Sequence, residues 1–86
     1  MTQVKIKNTI IEFLKKGNPL LRKQSSIPHD KSLLQLGLID SFAFLELVEF
    51  IEKKFKVKIR DDEITLERFG SLNLTSKLIF NKILKS

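Results

Sequence analysis

The chain has no cysteine, no tryptophan, no tyrosine and a single histidine among its 86 residues. Without cysteine it forms no disulfide, no thiolate metal site and no cysteine nucleophile, and the redox compartment leaves no mark on it. With His29 alone there is no HExxH pair, and the three glycines form no phosphate-binding loop. A lone loop histidine reads as a surface residue. No apolar run approaches the roughly 18 residues of a membrane span, so stable membrane insertion is not expected. The N-terminal stretch lacks a compact apolar region followed by small residues, so a signal peptide is not expected and the cytoplasm is the default location. The short length excludes a two-domain enzyme with a deep interdomain cleft. It leaves one small domain, residues 1–86, with an expected radius of gyration of about 12 Å.

What is present is ordinary for a folded chain: 42% hydrophobic and 30% charged residues. Sixteen Lys and Arg stand against ten Asp and Glu, a net charge of +6. Alone, that balance suggests nucleic acid or an anionic membrane surface. The charge is uneven, however. Residues 1–32 carry a net +5, residues 33–63 a net −2 and residues 64–86 a net +3. Between Ser32 and Glu52 there is no basic residue, yet Asp40, Glu46, Glu49 and Glu52 all fall there. A helix entering a nucleic-acid groove needs basic or amide side chains on its free face. No nucleic-acid partner is therefore expected. The glutamates also fit a merely solvated helix face.

Val4, Ile6, Ile10, Ile11, Phe13 and Leu14 recur at helical spacing and predict an amphipathic helix over 2–16, ended by Gly17-Asn18-Pro19. Residues 17–32, with Gly17, Pro19, Pro28 and Ser25-Ser26, read as a long irregular loop pinned by Leu20, Leu21 and Ile27. Gly37 ends a short turn, and Asp40 or Ser41 caps a helix over 41–56. Phe44, Leu47, Val48, Ile51 and Phe55 form its apolar stripe. Val57–Arg60 reads as an extended connector, since no second strand is available to pair it. Asp61-Asp62-Glu63 opens a short helix that ends by about residue 69, its acids favoured by the helix dipole. They lack the further spaced oxygen ligands of a calcium loop, and no metal site is expected. Ser71 caps a last helix to about Leu84, with Leu72, Leu74, Leu78, Ile79 and Ile83 inward. The expectation is an all-α fold with three main helices, one short helix and a long first loop. No residue set supports catalysis by the chain alone.

The stretch Gly37-Leu38-Ile39-Asp40-Ser41-Phe42, with the helix that follows it, resembles the attachment motif of the acyl carrier protein superfamily. The likeness runs over about residues 5–84. It includes Asp30–Gly37 before the motif, Glu46–Phe55 in the second main helix, Ile59–Ile64, and Phe69–Leu72 at the start of the last helix. One residue more separates Gly37 from Asp40 than in the fatty-acid type. Phe42 stands where Leu is usual, Arg60 where Pro is common, and Lys53, Lys54 and Lys56 interrupt an acidic run. These differences fit a free-standing, specialised carrier.

The resemblance implies a four-helix bundle, with 4′-phosphopantetheine attached covalently to Ser41 and with Asp40 taking part in recognition by the transferase. It implies a phosphopantetheinyl transferase as partner, then adenylating ligases, synthases or transferases of a lipid, polyketide or related pathway. Phe42, Leu45, Glu46, Glu49 and Glu52 would face those partners, although Phe42 could instead pack on the first loop. The chain would be a monomer that positions acyl cargo and is not itself an enzyme. An aminoacyl carrier of the D-alanyl or peptidyl type is the nearest alternative. A different class is a basic helical interaction module acting through Lys5, Lys7, Lys15, Lys16, Arg22 and Lys23. On pattern alone Ser41 is a plain helix cap; a serine at a helix start also seats a phosphodiester beside free N–H groups.

Overall fold

Thr2 starts the first helix by accepting the Lys5 N–H on its hydroxyl at 3.2 Å. The structure, a computed structural model, describes residues 2–23 and 27–85, excluding the side chains of Leu20, Leu66 and Glu67. The Ser25-Ser26 pair and the anchoring expected of Leu20 lie outside the described residues. Helix α1 runs Gln3–Gly17, α2 is a single turn at Pro19–Arg22, and α3 runs Ser41–Phe55. A 3₁₀ turn at Asp61–Glu63 precedes the one-turn α4 at Leu66–Phe69, and α5 runs Leu72–Lys85. Among the described residues there is no strand, and Val57–Arg60 is the extended connector expected.

The three long helices begin and end within about a residue of their predicted limits. Two shorter regions differ. The expected loop over 17–32 contains α2, because Asn18 offers its carbonyl to the N–H groups of Leu21 and Arg22 while Pro19 has its φ already set for a first helical residue. The expected short helix over about 61–69 is interrupted. Ile64 and Thr65 leave helical geometry, and the Thr65 hydroxyl starts α4 afresh by accepting from the Arg68 N–H at 3.2 Å.

Ile6, Ile10 and Leu14 of α1 are buried with Leu47, Ile51 and Phe55 of α3 and Leu72 and Ile79 of α5. Each such side chain, once fully buried, stabilises the fold by roughly 1.5–3 kcal/mol. Phe44 and Val48 pack at the edge of this core. Leu21 and Ile27 are buried, so they pin the first loop as their positions suggested. Helix α1 packs chiefly along α5 and also touches α3. Phe13 and Phe50 stack between α1 and α3, with centroids 4.1 Å apart. Two positions of the predicted apolar faces are outside: Val4 is 62% exposed and Leu74 36%. On α5, Thr75 and Ser76 lie inside where Leu74 does not. Ser76 donates its hydroxyl to the Asn73 carbonyl at 3.0 Å and Thr75 to the Phe69 carbonyl at 3.4 Å. Burial therefore leaves neither hydroxyl unsatisfied. The radius of gyration is 12.0 Å, as the chain length implies.

Candidate functional site

The segment leading into α3 is held from both sides. Leu33 and Ile39 are buried, and between them the chain turns tightly. The Ser32 hydroxyl accepts the Gln35 N–H at 3.2 Å, and the Leu33 carbonyl accepts from Leu38 at 2.9 Å. Gly37 closes the turn at φ +76°, in the left-handed region that a residue with a Cβ enters only at a cost. Asn18 then donates its side-chain N–H to the Leu38 carbonyl at 2.9 Å, tying the end of α1 to the turn. The place where α3 starts is thus fixed by the core on one side and by α1 on the other.

Sequence left open which residue caps α3, and the geometry decides it. Asp40 is the cap: its Oδ1 accepts the Ala43 N–H at 2.8 Å, and its carbonyl accepts from Phe44 at 3.0 Å. Ser41 is the first helical residue and is exposed. Among the described residues nothing engages its hydroxyl. The N–H groups of Ser41 and Phe42 have no carbonyl behind them within the helix, and the positive end of the helix dipole lies there. The site therefore offers an exposed hydroxyl beside unsatisfied donors, a seat that favours an oxyanion.

Downstream, Phe42, Leu45, Glu46 and Glu49 share one face at helical spacing, and all are exposed. Phe42 is 70% exposed and Leu45 61%, so neither belongs to the core. Leu34 and Leu36, in the preceding turn, are exposed as well. Sequence reasoning did not single them out; five leucine and isoleucine residues within the seven positions 33–39 were the available signal. Glu52 differs from the other two glutamates. It is half-buried, and its Oε2 accepts the Ile59 N–H at 2.9 Å, so it anchors the connector after α3.

A crevice of about 30 Å³ opens between the turn, α3 and α5, lined by Leu33, Ile39, Phe44, Leu47, Phe69 and Thr75. That is roughly the volume of one water molecule. Phe44 meets Phe69 edge-on across it, with centroids 5.4 Å apart. His29 is exposed. Its carbonyl accepts from Asn73 at 2.9 Å, while the Asn73 side chain takes a hydrogen bond from Lys7 at 2.7 Å. It belongs to the packing of α1 on α5. Among the described residues no group of three or more His, Asp or Glu side chains is arranged to hold a metal ion.

The acids at 61–63 do more than favour a helix start. Glu63 is 5% exposed, accepts the Arg60 N–H at 2.9 Å and pairs with Lys82 at 2.7 Å. The Arg60 N–H and Lys82, with the nearby Arg60 guanidinium, hold its carboxyl below the usual carboxylate range against the opposing effect of burial.

Among known proteins, the family model described as "Phosphopantetheine attachment site" matches residues 5–79, most of the chain. No curated protein and no solved structure matches it. Among the described residues no helix is long and apolar enough to cross a membrane.

Proposed function

The chain belongs to the phosphopantetheine-attachment family of carrier domains, and from that premise we propose that Ser41 carries the prosthetic group and that the protein ferries an acyl group between biosynthetic enzymes. Its cofactor is covalently bound 4′-phosphopantetheine. When bound, that group supplies a terminal thiol able to hold cargo as a thioester, which a chain without cysteine cannot offer. The observation that carries the reading is the division of labour at the start of α3. Asp40 takes the cap, and the Ser41 hydroxyl is left exposed beside the free N–H groups of the first turn.

Attachment would join the Ser41 Oγ to the pantetheine-side phosphorus of coenzyme A, with adenosine 3′,5′-bisphosphate as the leaving group and the Ser41 hydroxyl proton released. The free N–H groups of the first turn would then face the new phosphodiester. Asp40 keeps Ser41 at the first helical position throughout. Phe42 and Leu45, bordered by Glu46 and Glu49, present the apolar surface that partner enzymes cover, and Glu52 contributes only its free oxygen. We read α4 as the short fourth helix of the bundle. Carrier domains of this kind work with a phosphopantetheinyl transferase and with biosynthetic enzymes, and are generally not catalysts. Here we assign those enzymes to adenylating ligases, synthases or transferases in the cytoplasm.

An aminoacyl cargo of the D-alanyl or peptidyl type is the second reading. Loading assays with fatty acids against amino acids decide between the two.

The attachment itself is tested by incubating the full chain with coenzyme A, Mg²⁺ and a broad-specificity phosphopantetheinyl transferase. The intact mass gains one prosthetic group, and Ser41→Ala gains none. An unmodified wild-type chain, or a modified Ser41→Ala chain, would overturn the assignment.

A further inference from the structure

The positive charge of the C-terminal part is gathered in one place. A groove of about 620 Å³ lies between the connector after α3, α4 and α5. Lys58, Arg68, Lys77 and Lys85 line it, with Leu74 and Leu78 between them. All four cations are exposed, and none has an acidic partner among the described residues. Arg60 and Lys82 also line the groove: Arg60 pairs with Asp62 at 3.2 Å and Lys82 with Glu63, the one carboxylate among the described lining residues, which the Arg60 N–H also holds. Four exposed cations are thus left without an acidic partner among the described residues. None of its lining residues belongs to α3, and Lys58 follows the end of that helix opposite Ser41. Across α3, 15 residues long, that separation is about 20 Å.

We propose that this groove is a second docking site, which takes an acidic, leucine-bearing peptide segment of a partner protein. Charge complementarity sets the sign of the ligand. The two leucines ask for apolar side chains between the acids, which inorganic phosphate or a nucleotide does not provide. The stripe of α5 from Leu74 to Lys85 runs about 16 Å, the length of roughly five extended residues. A bilayer is flat and does not reach the walls of a concave site. Among the described residues no aromatic ring lines the groove, so it lacks the stacking platforms of a single-strand nucleic-acid channel. Glu63 fixes Lys82 in the wall, so that side of the groove is ordered before the peptide arrives. The site stands apart from Ser41 and does not depend on its modification.

The test uses the isotopically labelled full chain and the synthetic peptide (Glu-Glu-Leu)₄. Amide shifts should cluster at Lys58–Arg60, Arg68 and Leu74–Lys85. The double substitution Lys77→Glu with Lys85→Glu should weaken binding by about tenfold, and Lys77→Gln with Lys85→Gln by less. Lys5→Glu with Lys16→Glu changes net charge equally and should bind within about twofold of wild type. Ser41→Ala should bind as wild type does, which separates this result from the fate of the attachment site. Equal losses from both Glu pairs, shifts spread over α1, or no binding at millimolar peptide would overturn the proposal. So would tighter binding at the groove by phosphatidylglycerol vesicles, single-stranded DNA or inorganic phosphate.

Discussion

Phe42 puts its ring in water one position after Ser41, and such an arrangement contributes little to folding. Phe42→Ala should change stability by no more than about 0.5 kcal/mol, because no cavity is opened. If the ring is a partner contact, the same substitution lowers kcat/KM for transfer to or from a partner enzyme. Thermal unfolding and a transfer assay on one preparation check both points, and a large fall in Tm would return Phe42 to the core. The motif residues were legible as a motif. What spacing could not decide was whether Asp40 or Ser41 spends its oxygen on the helix. Both types cap well, and only the 2.8 Å bond from the Ala43 N–H to Asp40 assigns the task.

The two ends of the α3 unit use left-handed backbone in opposite ways. Gly37 adopts it before the helix, and a Cβ there would meet nothing within 4 Å. Gly37→Ala therefore costs only the backbone penalty, which, offset by the stiffer unfolded chain, leaves a loss of about 1 kcal/mol. Lys56 ends α3 at φ +55°, where glycine is preferred. Lys56→Gly should accordingly raise stability by about 0.5–1 kcal/mol. Urea unfolding midpoints of the two variants should move in opposite directions, and a shift of the same sign in both would refute the argument. Helix limits were readable because cap-forming residues stand beside the apolar period at Asp40-Ser41 and at Ser71. The break at Ile64-Thr65 was not, because either residue continues a helix in other surroundings.

At the scale of the molecule, Glu63 joins the connector to α5 and makes stability depend on pH. Its folded pKa lies below its unfolded value, so its stabilisation is complete above the unfolded pKa. That contribution is lost as pH falls through the folded value. Glu63→Gln should therefore lower stability at neutral pH by about 1–3 kcal/mol, since Lys82 loses its partner. Its stability should also change less than wild type on acidification. Parallel acid profiles for the two proteins, followed by circular dichroism in urea, would contradict this role. Carboxylates at a helix start usually only favour the dipole. Burial of this one depends on Lys82, nineteen residues away, and no local pattern shows that.

Hydropathy period, caps and turn residues settled the three long helices, the buried stripe of α3 and the position of Ser41 at a helix start. These follow from interactions within a few residues, which the order of side chains encodes directly. Tertiary packing decided which apolar residues stay in water, among them Val4, Leu74 and Phe42. It also put Thr75 and Ser76 inside, where their hydroxyls find backbone carbonyls. The net charge of +6 was plain from composition, but a sum carries no position. Only the fold gathers the connector, α4 and α5 around one basic groove while leaving the surface around Ser41 apolar and acidic, because distant segments become neighbours only when the core closes between them.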